Sequence, residues 1–191
     1  IRRVNITTEV SMLLSCLALP REEHLKQLFR MFSYLEKQHD SEIVFDHTLP
    51  DIDYLDFQKQ DWDNTVYANE RGELKEDVPT ILPNPLGKGF KMQVFVDSDH
   101  AIDQVTNKSQ IGYLVYLNNA LIYWSLKKQT TVETSLFGSK FMAMKHATEY
   151  IRGLRYKLRS MGIPVDGFAY IYGDNEYVLV NLEPLHSQLT K

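Results

Sequence analysis

Met92-Gln93-Val94-Phe95-Val96-Asp97-Ser98-Asp99-His100 is the stretch that decides how this chain folds. Met92, Val94 and Val96 alternate with Gln93, Phe95 and Asp97. That two-residue period predicts a strand with both faces partly apolar, and it places Asp97 just past the buried part. Downstream, Ile111 to Leu117 and Leu121 to Leu126 read as two more strands around Asn118-Asn119, a tight hairpin turn. Thr134 or Ser135 is placed to cap a long helix whose apolar stripe is Phe137, Phe141, Met144, Ala147, Ile151, Leu154 and Leu158. Gly162 closes that helix, with Pro164 just beyond. Phe168 to Tyr172 is a fourth strand, and a short helix follows Asn175. Three antiparallel strands, a helix and a further strand predict an α/β fold with helical cover.

Upstream the composition changes twice. Residues 1–46 read as a small helical segment. Val10, Leu13, Leu14 and Leu17 follow helical spacing after the possible caps Asn5 and Thr7. Pro20 suits the first turn of a second helix carrying Leu25, Leu28, Phe29, Phe32 and Leu35. Ile43-Val44-Phe45 reads as a short strand. Residues 47–88 are an acidic linker in which Tyr54, Phe57, Trp62 and Tyr67 are expected to pin the chain to a neighbouring surface. Pro79, Pro83 and Pro85 mark its extended end, and residues 89–191 form the main domain.

With 191 residues, 43% of them hydrophobic, the chain is long enough for one good core and a satellite element. The net charge of -4 argues against a generic nucleic-acid-coating protein, although local basic patches remain compatible with it. Cys16 is the single cysteine, which fits a reducing, intracellular setting, and it sits among leucines as a core thiol. The six histidines show no zinc spacing with it. No apolar run reaches membrane-spanning length, so no membrane partner is expected. The opening Ile1-Arg2-Arg3, without a starting methionine, reads as a piece of something longer.

Asp97 and Asp174 carry the chemistry. Phosphoryl hydrolysis with two Mg²⁺ ions needs several carboxylates around a metal pair about 4 Å apart. Gly173-Asp174-Asn175 places Asp174 at the carboxyl end of the fourth strand, where open α/β sheets bind ligands. Alone, such an aspartate is more often a turn residue or cap. Two of them with a long helix between are more specific.

The ordered set Val96-Asp97-Ser98-Asp99, Lys108-Ser109, Gly112-Tyr113, Lys127-Lys128-Gln129, Thr131-Val132, Phe141-Met142-Ala143 and Gly173-Asp174-Asn175 resembles the Pol polyprotein of copia-type LTR retrotransposons. It covers the end of the reverse transcriptase and the ribonuclease H domain. Asn5 through Leu35, with Pro20-Arg21-Glu22-Glu23-His24-Leu25, is similar to the family's thumb or connection segment. The resemblance implies a ribonuclease H-like mixed sheet, cleavage of RNA in RNA/DNA hybrids and a two-ion Mg²⁺ site. Asp97 and Asp174 match two metal-binding aspartates, whereas the family's helix glutamate falls at Lys140. A last acidic or histidine ligand would lie beyond His186-Ser187-Gln188, and the chain ends at Lys191. The polymerase's own Asp-Asp motif lies upstream in the family, so no reverse transcriptase activity is implied. The remainder of Pol is the implied protein partner.

By helical spacing Lys140 lies at the edge of the Phe137, Phe141 and Met144 stripe and looks toward Asp97 and Asp174. An ammonium about 4 Å from a carboxylate attracts it by roughly 4 kcal/mol at an effective dielectric near 20, before desolvation. Lys140 is therefore expected to close the site, neutralising the aspartates and repelling Mg²⁺. The alternative is a lysine that points to solvent beside an incomplete site. Asp99 or Glu133 could substitute as ligands. For hybrids, held through phosphates and 2′-hydroxyls, the expected contact strip is Lys127, Lys128 and Gln129 with Lys108 and Ser109. Arg152, Arg155, Lys157 and Arg159 form a second basic cluster. A degraded ribonuclease H, a non-enzymatic interaction module and an active hydrolase with unusual ligands all follow as readings.

Overall fold

A computed structural model describes residues 3–53, 79–103, 106–174 and 178. Its centre is β1 (Phe90–Asp103), flanked by β2 (Lys108–Leu117) on one side and β4 (Val165–Gly173) on the other. β3 (Ala120–Lys128) forms the far edge, giving the order β3-β2-β1-β4. The β1–β2 and β2–β3 pairs are antiparallel and β1–β4 is parallel. A parallel partner needs a long crossover, and α3 (Leu136–Ser160) supplies it. This is the mixed α/β sheet that the sequence predicts, with the three antiparallel strands first.

The alternation of β1 buries Met92, Val94 and Val96 under α3, against Ile111 and Val115 of β2. Met92 and Val94 have no exposed surface, and burying side chains of this size contributes roughly 1.5–3 kcal/mol each. On the helix the buried line is Ala143, Met144, Ala147, Ile151 and Leu158. Ala143 and Ala147 are fully buried. The small residues let α3 approach the sheet and rotate Phe141 outward to 38% exposure, so Phe141 is not part of the core face. Ser135 caps the helix, accepting from Gly138 N at 3.1 Å. Gly162 ends it at φ +75°, where a side chain would be strained.

β1 runs beyond Asp97, because Ser98 and Asp99 pair with Ile111 and Gln110. Asp97 therefore sits within the strand rather than past its end. Asn118, at φ +53°, turns the hairpin. Its amide is also a junction: Oδ1 accepts from Lys91 N at 2.9 Å and Nδ2 donates to the His47 carbonyl at 3.0 Å. Asn119 Nδ2 donates to Thr48 Oγ1 at 2.8 Å and Ile52 is buried, so the start of the acidic stretch is anchored on the hairpin. Tyr54, Phe57, Trp62 and Tyr67, and the helix expected after Asn175, lie outside the described residues.

The N-terminal helices are α1 (Thr7–Ser15) and α2 (Glu22–Lys37). Neither Asn5 nor Thr7 caps α1: Thr7 Oγ1 donates to the Arg3 carbonyl and Asn5 Nδ2 to Tyr34 Oη. Pro20 lies before the α2 N-cap Arg21, not in the first turn. Ile43-Val44-Phe45 has no ladder partner among the described residues and forms no strand. α1 packs against β3, and Gln110 Nε2 donates to Ser11 Oγ at 3.0 Å. Cys16 is half-buried with a free thiol.

Three tyrosines pack where α3 meets the sheet: Tyr113 of β2, Tyr123 of β3 and Tyr150 of α3 itself. Tyr123 and Tyr150 stack at 4.2 Å, with Tyr113 5.7 Å from Tyr150. Burial, reinforced by Tyr123 and Tyr113, pushes the Tyr150 phenol up to about 12. A raised phenol favours the folded state below the ordinary tyrosine value near 10 and ceases to do so as pH rises through about 12. Absorbance titration should show a late-ionising tyrosine that disappears in Tyr150→Phe, with the melting temperature falling across that window. Uniform tyrosinate formation near pH 10 contradicts this.

Candidate functional site

The parallel β1–β4 register sets Val96 opposite Gly173, so the chain leaves the sheet at Asp174 beside Asp97. α3 crosses the same end. Lys140 lies three, four and seven residues before Ala143, Met144 and Ala147, in line with the buried face rather than at its edge. Its stem enters along that face, and its Nζ donates to both carboxylate oxygens of Asp174 and lies 3.4 Å from Asp97 Oδ1. The Lys140 side chain is 13% exposed, whereas Asp97 and Asp174 remain 73% and 62% exposed. Asp97 Oδ1 also accepts from Ser98 N at 2.7 Å.

Burial works against the Lys140 ammonium, but the hydrogen bond to Asp174 and the charges of Asp97 and Asp174 outweigh it and raise its pKa. The ammonium thus persists through neutral pH. Its contribution to stability holds below the ordinary lysine range and is lost only as pH rises through the raised value.

This donor set does not fit the two-ion Mg²⁺ site that the ribonuclease H resemblance implies. Mg²⁺ takes oxygen ligands in near-octahedral order, and here an ammonium stands between the two carboxylates. The crevice lined by Val96, Asp97, Ser98, Lys140, Ala143, Met144, Gly173, Asp174 and Val178 has about 10 Å³ of free space, near the minimum for one water. Among the described residues no three His, Cys, Asp or Glu side chains come together as a metal cluster. Asp99 lies two residues along β1, about 7 Å from Asp97 at strand spacing. Glu133 is held before α3, accepting from Thr131 Oγ1 at 2.9 Å.

The nucleic-acid strip divides. Lys127 is exposed and Lys108 half-buried at the adjoining ends of β3 and β2. Lys128 is half-buried and lines a cleft of about 830 Å³ beneath α1 and α2. Ser109 and Gln129 are buried, 0% and 4% exposed, and cannot reach a ligand at the surface. Ser109 Oγ accepts from Ala101 N, and the Gln129 amide side chain donates to the Ser139 carbonyl. Arg155 likewise leaves the second basic cluster: it is buried and donates to the Gly167 carbonyl at 2.9 Å. Sequence reasoning missed the crevice contact of Val178 and the buried polar floor of Ser98 and Ser139.

No protein-family model and no solved structure matches the chain. A 59-residue stretch is 37% identical to secreted RxLR effector protein 161 of Plasmopara viticola. The stretch is 31% of this chain, and it spans 42% of that relative, less than half its length.

Proposed function

We propose that the chain is a segment of a copia-type retrotransposon Pol polyprotein whose ribonuclease H-like domain has lost hybrid cleavage. The observation that carries the proposal is Lys140 bound between Asp97 and Asp174, in the place where the resemblance puts a metal-binding glutamate. Val96 to Asp99, Lys108-Ser109, Gly112-Tyr113 and Lys127-Lys128 of the ordered motifs lie on the sheet, and Phe141-Met142-Ala143 on the helix across it, an arrangement that supports the same reading. An ammonium there competes with the metals and cannot activate water for attack. On this proposal the domain works inside the cell and keeps contact with RNA/DNA hybrid or other nucleic acid, with the rest of Pol as its protein partner.

A second reading is a non-enzymatic interaction module on the same fold. The relative named as a secreted effector favours it, as do the exposed side chains of Leu25, Phe29 and Phe32 on α2.

A labelled RNA/DNA hybrid with Mg²⁺ or Mn²⁺ is the test. We expect binding without cleavage, and Lys108→Ala and Lys127→Ala each to weaken binding across sequences and lower the salt slope by about 1. Metal-dependent cleavage abolished by Asp97→Asn would overturn the proposal. No hybrid binding at all, with capture of a protein partner lost on Phe29→Ser, would favour the second reading.

A further inference from the structure

The buried polar floor beneath Lys140 has one member that joins three elements. Gln129 extends the β2–β3 ladder, its backbone N donating to the Ser109 carbonyl at 2.8 Å. Its side-chain Nε2 then crosses to α3 and donates to the Ser139 carbonyl at 2.8 Å. Ser139 immediately precedes Lys140 and is fully buried. Ser139 Oγ donates to the Leu136 carbonyl, and Ser98 Oγ of β1 lies 3.4 Å from it. The first turns of α3 are thus tied both to the end of the hairpin and to the strand that carries Asp97.

We propose that Gln129 is a positioning residue: its buried amide holds the first turns of α3 in the register that seats Lys140 between Asp97 and Asp174. The inference rests on Lys140 being the cation that closes the site, and extends it to the residue that aims the cation. Packing alone does not favour glutamine here. Gln129 Oε1 is buried and accepts no hydrogen bond from the described residues, a cost that an apolar side chain of similar length would remove. What glutamine adds is the directional bond to Ser139. A carbonyl has two lone pairs, so Ser139 can accept it without surrendering its helical bond.

The test follows Lys140 Nζ by NMR titration in the intact chain carrying labelled lysine. Wild type is expected to titrate above the ordinary lysine value of about 10.4. In Gln129→Met, Lys140 should titrate back toward that value while the melting temperature holds or rises. Gln129→Asn keeps the amide but is one methylene too short to reach Ser139. It should release Lys140 in the same way, which covers the case of a Met variant that folds poorly. Unchanged Lys140 titration in both variants overturns the role of Gln129 and leaves the closed site standing. A wild-type Lys140 that titrates at the ordinary value overturns the closed site itself, and Gln129 with it.

Discussion

Lys140→Glu is expected to turn the crevice into a metal site and, without metal, to loosen the domain. The wild-type cluster sets one ammonium against two carboxylates. The substitution removes the cation and gathers three carboxylates around a crevice with about 10 Å³ of free space. Breaking a buried pair costs about 3–5 kcal/mol, and an exposed one about 0–1. Asp97 and Asp174 keep most of their contact with water although Lys140 does not. An intermediate loss of about 1–3 kcal/mol is therefore expected in EDTA. Mg²⁺ should then restore stability, because a ligand that binds only the folded state stabilises it by about 2.7 kcal/mol at a hundred times its Kd. The wild-type melting temperature should ignore Mg²⁺. Lys140→Met separates the two effects, since it deletes the cation without adding a ligand and should stay insensitive to metal. If calorimetry finds no Mg²⁺ binding to Lys140→Glu, the ammonium is not what keeps the metals out.

How much of this could be read from the chain depended on whether the deciding interaction is local. The β2–β3 hairpin announces itself, because alternation and Asn118-Asn119 act within a few residues. Lys140 was legible for a related reason: helical spacing carries it to the same side as Met144 and Ala147 whatever surrounds the helix. The end of β1 was not, since Ser98 and Asp99 are polar and belong to the strand only because Ile111 and Gln110 offer a ladder. Ile43-Val44-Phe45 shows the converse, having strand composition and no partner among the described residues. Ser109 and Gln129 look like surface chemistry in a basic run. Their burial is decided by distant elements: α3 arrives from later in the sequence against Gln129, and the far end of β1 lies against Ser109, whose Oγ accepts from Ala101 N. Ala143 and Ala147 carry a weak hydrophobic signal, yet they set the approach of α3 and so displace Phe141 from the core.

Met92→Ala should cost more than any change at the charged cluster. Met92 is fully buried on the central strand, between Leu117 of β2 and Ala169 of β4 in the ladder, and its side chain belongs to the cluster under α3. Truncation removes apolar contacts and leaves a cavity that flanking strands, fixed by their own hydrogen bonds, cannot collapse around. Losses of about 2–5 kcal/mol are usual for such changes, and a central site with strands on both sides belongs in the upper half. Chemical denaturation should show an earlier midpoint with little change in slope, because the surface exposed on unfolding is nearly the same. The comparison with Lys140→Met gives the measurement its value. If the sheet and helix hold the domain together through apolar burial, Met92→Ala is the more damaging of the two and its effect does not respond to salt. If Lys140→Met proves worse, the ion cluster is a structural keystone, and Lys140 was favoured for stability rather than left by the loss of a metal ligand.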